Sequence, residues 1–199
     1  MVQLGYNAGL VLSRPLEDPP STTFSGFNLD NGVKGIKLET LNRDVVLKEI
    51  GFYAKATPDA DFEVGIYDVI AGTPTNLLWK SAPKAKGATE GWKRIDTINY
   101  TLTAGNTYCV AVALKNTTPD TKVGISACSE DEYRMISDTT TDVLETTWAG
   151  SFLGAYIIPA IYALYVPDDT GSIGTAMLRT DYIDKAYIDK DNEAVEVSG

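Results

Sequence analysis

The sequence predicts an all-β protein: an antiparallel β-sandwich with extended N- and C-terminal arms. Three observations predict it. Thr, Val, Ile, Tyr and Gly recur along all 199 residues while strong helix formers are thin, and β-branched and aromatic side chains suit a pleated, half-buried surface. Apolar and polar residues alternate with a period of two in the clearest windows, and no helical stripe stands before residue 173. Gly, Asn, Asp and Pro punctuate those windows at a spacing of about ten residues, as in sandwiches and barrels.

Residues 1–23 read as an arm. Leu4, Tyr6, Leu10 and Leu12 form an apolar strip that ends in Arg14-Pro15 and then Glu17-Asp18-Pro19-Pro20. Paired prolines force an extended, unpaired backbone. Such a strip either folds back as an edge strand or reaches a neighbouring subunit.

The body runs over 24–166. Phe24 to Leu29 and Val33 to Leu41 are short strands about an Asp30-Asn31-Gly32 turn. Val45 to Ala56 follows, with Ile50, Phe52 and Ala54 on one face. Phe62 to Val69 sets Phe62, Val64 and Ile66 against Glu63, Gly65 and Tyr67, the period of a half-buried strand. Ala71 to Asn76 reads as a loop before Leu77-Leu78-Trp79. Trp92 to Tyr100 is a further strand, Thr103 to Asn106 a turn, and Tyr108 to Leu114 alternates large apolar residues with Cys109, Ala111 and Ala113. Val123 to Cys128 is short. Tyr156 to Val166 is the most apolar run, in which Pro159 marks an edge or a bulge.

Residues 167–199 form a C-terminal extension. Asp168-Asp169-Thr170-Gly171 breaks the last strong strand, and Tyr-Ile-Asp-Lys then occurs at 182–185 and again at 187–190. That spacing keeps Tyr182, Ile183, Tyr187 and Ile188 on neither one helix face nor one strand face. They anchor either a polar tail or an arm ordered by assembly.

Composition excludes several functions. Hydrophobic residues are 44% and charged residues 22%, enough for a core without metal or disulfide. A net charge of −10 argues against nucleic acid and against anionic membranes. Lys80, Lys84, Lys86, Lys93 and Arg94 read as dispersed, solvated surface. The chain has no His, so a Ser–His or Cys–His nucleophile is impossible within it, and the commonest transition-metal ligand is missing. Cys109 and Cys128 could close a loop of about 20 residues, but the reading is two free thiols in a reducing cytoplasm. The N-terminus lacks the basic start and apolar core of a secretory signal, and no run reaches the ~18 apolar residues of a membrane helix. The expectation is a chain made in the cytoplasm, without membrane insertion, or extracellular if an export signal was removed.

Three constellations could carry chemistry. Trp79, Trp92 and Trp148 sit beside turns or at strand ends, where sandwich loops place ligand contacts, so each is a candidate glycan contact as well as a candidate core residue. Asp59 and Asp61, Asp138 and Asp142, Asp168 and Asp169, and Asp189, Asp191 and Glu193 could offer oxygens to calcium, but read as solvated turn acids. Glu63, Asp68, Glu90 and Asp96 could supply a glycosidase carboxylate pair, but equally form the polar faces of strands. No zinc spacing and no phosphate-cradling Gly loop occurs. The expectation is no catalytic residue, no cofactor and no metal.

One stretch carries a resemblance. It runs "LKEIGFYAKATPDADFEVGIYDVIAGTPTNLLWKS" from Leu47 and "EGWKRIDTINYTLTAGNTYCVAVAL" up to Leu114. This resembles jelly-roll modules of phage virion proteins (fibres, appendages, capsid decorations) and of carbohydrate-binding sandwiches, over about a third of the chain. The resemblance implies a non-enzymatic virion structural protein, a capsid decoration or a tail or head appendage. Its partners would be other virion proteins or further copies of itself, for instance in a trimer. The alternatives are a carbohydrate-binding module, in which a cell-surface glycan is the partner, and a carbohydrate-active enzyme using a carboxylate pair.

Overall fold

The alternation of apolar and polar residues is realised as two mainly antiparallel sheets packed face to face. The computed structural model describes residues 9–16, 33–38, 40–54, 56, 60–115, 125–127, 134–136, 143–148 and 157–168. The chain divides into two compact units, Met1–Pro167 and Asp168–Gly199. The described strands all belong to the first unit.

All regular structure among the described residues is strand: β1 (Gly9–Val11), β2 (Val33–Lys37), β3 (Val45–Ala54), β4 (Asp61–Ile70), β5 (Thr73–Lys80), β6 (Lys84–Ala85), β7 (Gly91–Ile95), β8 (Tyr100–Leu102), β9 (Tyr108–Lys115), β10 (Ile125–Ala127), β11 (Arg134–Ile136), β12 (Ile157–Pro159) and β13 (Ile161–Pro167). One sheet runs β1-β13-β3-β7, with β8 beside β3; the other runs β11-β2-β9-β4-β5, with β6 beside β4; β10 and β12 form a separate pair. Every described pairing is antiparallel except β1 on β13. The sandwich expected from the sequence is the fold observed.

The core lies between the sheets. Leu47, Ile50, Phe52, Ile161 and Ala163 of the first sheet meet Ile36, Phe62, Val64, Ile66, Val110, Val112 and Leu114 of the second. Phe52 and Phe62 touch edge to face across it at 5.1 Å. β9 is buried on both faces. Val110, Val112 and Leu114 fill the main core, while Cys109, Ala111 and Ala113 lie under Tyr67, Leu144 and Trp148. Small side chains suit that second face, because residues 143–148 lie close over it. Cys109 is a free, buried thiol, and burial raises its pKa.

Three elements differ from the sequence expectation. The loop expected over 71–76 is only Ala71-Gly72, both at positive φ (52° and 84°), and β5 starts at Thr73. Two left-handed residues make the tight turn whose twist matches a hairpin, so no longer loop is needed. Pro74 is tolerated because β5 is the last strand of its sheet. The single strand expected over 92–100 is two strands on the same edge of β3: β7 pairs with Ile50–Ala54 and β8 with Val45–Leu47. Between them Ile98 is buried and its amide donates to the Lys48 carbonyl. The apolar run 156–166 breaks after Pro159, where the chain passes from the β10 pairing into the first sheet.

The N-terminal strip is divided. Leu10, in β1, is buried against its own chain along Tyr162–Leu164, while Leu12 is exposed. Leu4, Tyr6, Tyr182, Ile183, Tyr187, Ile188 and Cys128 lie outside the described residues, as do the strand expected over 24–29, its turn at 30–32, and the calcium candidates Asp138, Asp142 and 189–193. Among the described residues no helix is long and apolar enough to cross a membrane, and no three potential metal ligands come together.

Candidate functional site

The site begins with an irregularity in β3. Val45 and Leu47 enter the core, and so do Ile50, Phe52 and Ala54; strict alternation would have sent Glu49 inward and Ile50 outward. The pairing explains the change of phase. Tyr165 faces Leu47 and Leu164 faces Glu49, so Lys48 is bulged out of the ladder. Glu49, Gly51 and Tyr53 thereby share the outer face of the first sheet, next to Arg94 and Trp92 of β7 and Tyr162 of β13.

Glu49 is buried there, its side chain 2% exposed. A buried carboxylate must be paired and hydrogen-bonded, and Arg14, Arg94 and the Tyr162 hydroxyl do this. Arg14, brought in behind β1, donates through Nε at 2.8 Å and 3.1 Å to the two carboxylate oxygens. Arg94 Nε lies 3.5 Å from Oε1, and the Tyr162 hydroxyl donates to the same oxygen. Arg94 Nε also donates to the Tyr162 oxygen at 2.7 Å. The hydrogen bond and then the charge of Glu49 raise the pKa of Arg14, while burial, then the bond to Glu49, raises that of Tyr162.

Tyr162 reaches this position because residue 51 has no side chain. A Cβ on Gly51 would stand 2.4–2.6 Å from the end of the Tyr162 ring. The ring also meets Trp92 edge to face at 5.2 Å, and Trp92 meets Tyr53 in the same way at 5.5 Å. The hydroxyl of Tyr53 in turn donates to Glu90 at 2.9 Å. Trp92, half-buried, is thus held by two tyrosines.

Beside this network opens a cleft of about 320 Å³, floored by the buried Phe62 and walled by Trp92, Arg14, Lys84, Lys86, Lys93, Arg94 and Asp96. The lysines expected to be dispersed are therefore gathered: Lys84, Lys86, Lys93 and Arg94 converge, with Arg14 added from far upstream. Only Lys80 of that set stands apart, 3.4 Å from Glu63. Lys84 Nζ donates to the Arg94 carbonyl at 2.8 Å, Lys86 Nζ to the Gly87 carbonyl at 2.9 Å and Lys93 Nζ to Thr89 Oγ1 at 3.5 Å.

The three tryptophans occupy different surroundings. Trp92 alone of them lines the cleft. Trp79 is half-buried against the main core. Trp148 is buried, 9% exposed, edge-on to Tyr67 at 5.0 Å, and its amide donates to the Thr75 carbonyl at 2.8 Å. The candidate carboxylates are likewise separated. Glu63, 1% exposed, accepts from the Leu144 amide and holds residues 143–148 over the second sheet. Asp68 accepts from the backbone and side chain of Asn76 at 2.6 Å and 2.8 Å. Glu90 serves Tyr53, and Asp96 lies at the cleft 3.7 Å from Arg14. Arg14, Glu49, Gly51 and Tyr162 were missing from the sequence candidates. The readable signal was the run Glu49-Ile50-Gly51, a charge and a glycine inside a strand.

No protein-family model matches the chain, and no curated protein matches it. Solved structures do. The chain is similar to a crystal structure of the cysteine protease and lectin-like domains of Cwp84, a surface-layer-associated protein of Clostridium difficile, with a TM-score of 0.50 and 14% identity over 69% of this chain and 32% of that one. It is also similar to a clostridial cysteine protease Cwp84 variant after propeptide cleavage, with a TM-score of 0.52 and 13% identity over 77% of this chain and 43% of that one. The chain thus spans less than half the length of either neighbour. At this identity the likeness is one of fold alone.

Proposed function

We propose that the chain is a non-catalytic carbohydrate-binding β-sandwich whose ligand sits in the Trp92 cleft. One observation carries the reading. A half-buried indole, fixed edge-on by Tyr53 and Tyr162, shares a concave site of about 320 Å³ with a dense set of side-chain donors. Sugars are bound by that combination, an aromatic wall against the C–H face of the ring and fixed polar groups for its substituents. The volume stands at the low end of small-ligand pockets and suits the terminal residue of a glycan better than an extended chain. The fold likeness to a chain with a lectin-like domain supports the same reading.

The virion role expected from the sequence enters this reading as one setting for glycan attachment, because an appendage that holds a host glycan needs such a cleft. A cell surface is the other setting. The test is a glycan array probed with the wild type and with Trp92→Ala. The wild type should give a discrete set of positive glycans, and the variant should lose them while keeping its near-native circular dichroism. Equal signals from both proteins would remove Trp92 from the site and the reading with it.

A further inference from the structure

Resting on the reading of the cleft as a carbohydrate seat, we propose that its ligand is an anionic glycan, one whose sugar carries a carboxylate, sulfate or phosphate. Lys84 and Lys93 receive that group beside Trp92.

The charge distribution is the first argument. The chain holds 17 Lys and Arg against 27 Asp and Glu, yet five of those cations line one small cleft and, among the described residues, Asp96 is the single carboxylate in its wall. Holding like charges together at a partly enclosed site is unfavourable, more so than on open surface, because solvent screens them less. An anion between them reverses the sign of that term. Glu49 already compensates Arg14 and Arg94 from beneath. Lys84 and Lys93 are different. Their hydrogen bonds go to a backbone carbonyl and a hydroxyl, and among the described residues neither ammonium has a carboxylate within 4.0 Å.

The second argument is hydrogen-bond chemistry. A sugar hydroxyl both donates and accepts, so a site for neutral sugars alternates donors with acceptors. Lysine and arginine side chains only donate. A wall of five such residues with one carboxylate is matched to a group that only accepts, and bonds to a charged acceptor are about twice as strong as neutral ones. Trp92 gives the ring its stacking surface, which a bare anion site would not need.

The third argument concerns size. A nucleic acid strand is also an acceptor-rich polyanion, but its phosphates continue beyond any one pocket. Outside this cleft a chain of net charge −10 offers them repulsion. A single charged sugar ends where the cations end.

The experiment is calorimetric titration of the full chain with tetragalacturonate (carboxylate), a heparin-derived tetrasaccharide (sulfate), a mannose 6-phosphate disaccharide (phosphate), cellotetraose (neutral) and a thymidine oligonucleotide. Wild type, Lys84→Gln/Lys93→Gln and Trp92→Ala are compared. At least one acidic sugar should bind at least about tenfold tighter than cellotetraose, and the double lysine variant should shrink that gap to under about threefold. Raising salt from about 0.05 M to about 0.5 M should weaken only the acidic ligands, and the acidic arm that binds identifies the charged group. Cellotetraose binding as tightly as every acidic sugar, with Trp92→Ala abolishing both, would overturn the charge preference and leave the carbohydrate seat standing. No sugar binding at all would remove both. Oligonucleotide binding through the same two lysines, tighter than any sugar, would overturn the proposal in favour of a nucleic acid.

Discussion

Gly51→Ala probes the packing that holds the site. The new methyl would lie 2.4 Å from Tyr162 Cε1, with the ring Cζ and hydroxyl at 2.5 Å and 2.6 Å. Ordinary contact begins near 3.4 Å, so the ring must retreat by about 1 Å. It has little room to do so. Tyr162 is fully buried, with Trp92 edge to face against its ring and Glu49 and Arg94 bonded to its hydroxyl. Overpacking of this kind costs about 1–3 kcal/mol, and weakening the hydroxyl bonds places the total near the upper end, about 2–3 kcal/mol. For a chain of this length that corresponds to a fall in Tm of roughly 4–12 °C. The assay is thermal unfolding followed by near-ultraviolet circular dichroism, which also reports the Trp92–Tyr162 pair. The partner variants are Tyr162→Ala and the double variant, in which the added methyl enters space already vacated. The loss in the double variant should therefore fall short of the sum of the two single losses by more than about 1 kcal/mol. A Gly51→Ala protein within about 0.5 kcal/mol of wild type, or strict additivity, would refute the close approach of ring and glycine.

Two further predictions concern the hairpin and pH. Ala71 is exposed and left-handed, at φ 52°, so Ala71→Asn, which gives the turn its preferred Asn-Gly, should raise stability by about 0.5–1 kcal/mol in denaturant unfolding; a loss would contradict the turn geometry. Burial raises the pKa of Tyr67 and Tyr162 above the ordinary 10.0. A phenol whose folded pKa is raised contributes stability that is fully present below pH 10 and is lost as pH climbs above it toward the folded value. Unfolding free energy should thus fall above pH 10, and Tyr162→Phe should flatten part of that fall; an unchanged slope would place the phenol in water.

The legibility of the fold follows from where neighbours along the chain decide structure. β4 and β9 were readable because each alternates cleanly and each lies inside a sheet, where local pattern and tertiary burial agree. The face of β3 that carries Ile50, Phe52 and Ala54 was readable, but not its phase with Val45 and Leu47 on the other side of Lys48. Beyond it the bulge re-phases the strand, and a bulge is defined by the partner strand, Leu164 and Tyr165, which lies more than a hundred residues away. The Ala71-Gly72 turn was missed because alanine rarely takes a left-handed conformation and Pro74 argued for a loop.

The site was half legible. Trp92 stood among the candidates with Trp79 and Trp148, and no local feature separated them. Trp148 is buried because residues 146–148 bond along β5, a contact without a sequence signature. The cations looked dispersed because three separate pairings bring them together. β6 sets Lys84 beside β4, β7 sets Lys93 and Arg94 beside β3, and β1 delivers Arg14 by lying parallel on β13. Charge clusters assembled by sheet topology carry no signal in linear spacing. Glu49 left a trace, a carboxylate inside an apolar strand, which is costly unless a partner waits for it.

The most direct test of the cleft as the ligand seat is a titration followed through the indole N–H resonances of the three tryptophans, each assigned by a single Trp→Phe variant. Addition of a glycan bound by the protein should shift the Trp92 resonance in step with saturation and leave those of Trp79 and Trp148 in place. Movement of Trp148 or Trp79 while Trp92 stays still would put the ligand elsewhere on the sandwich and contradict the account.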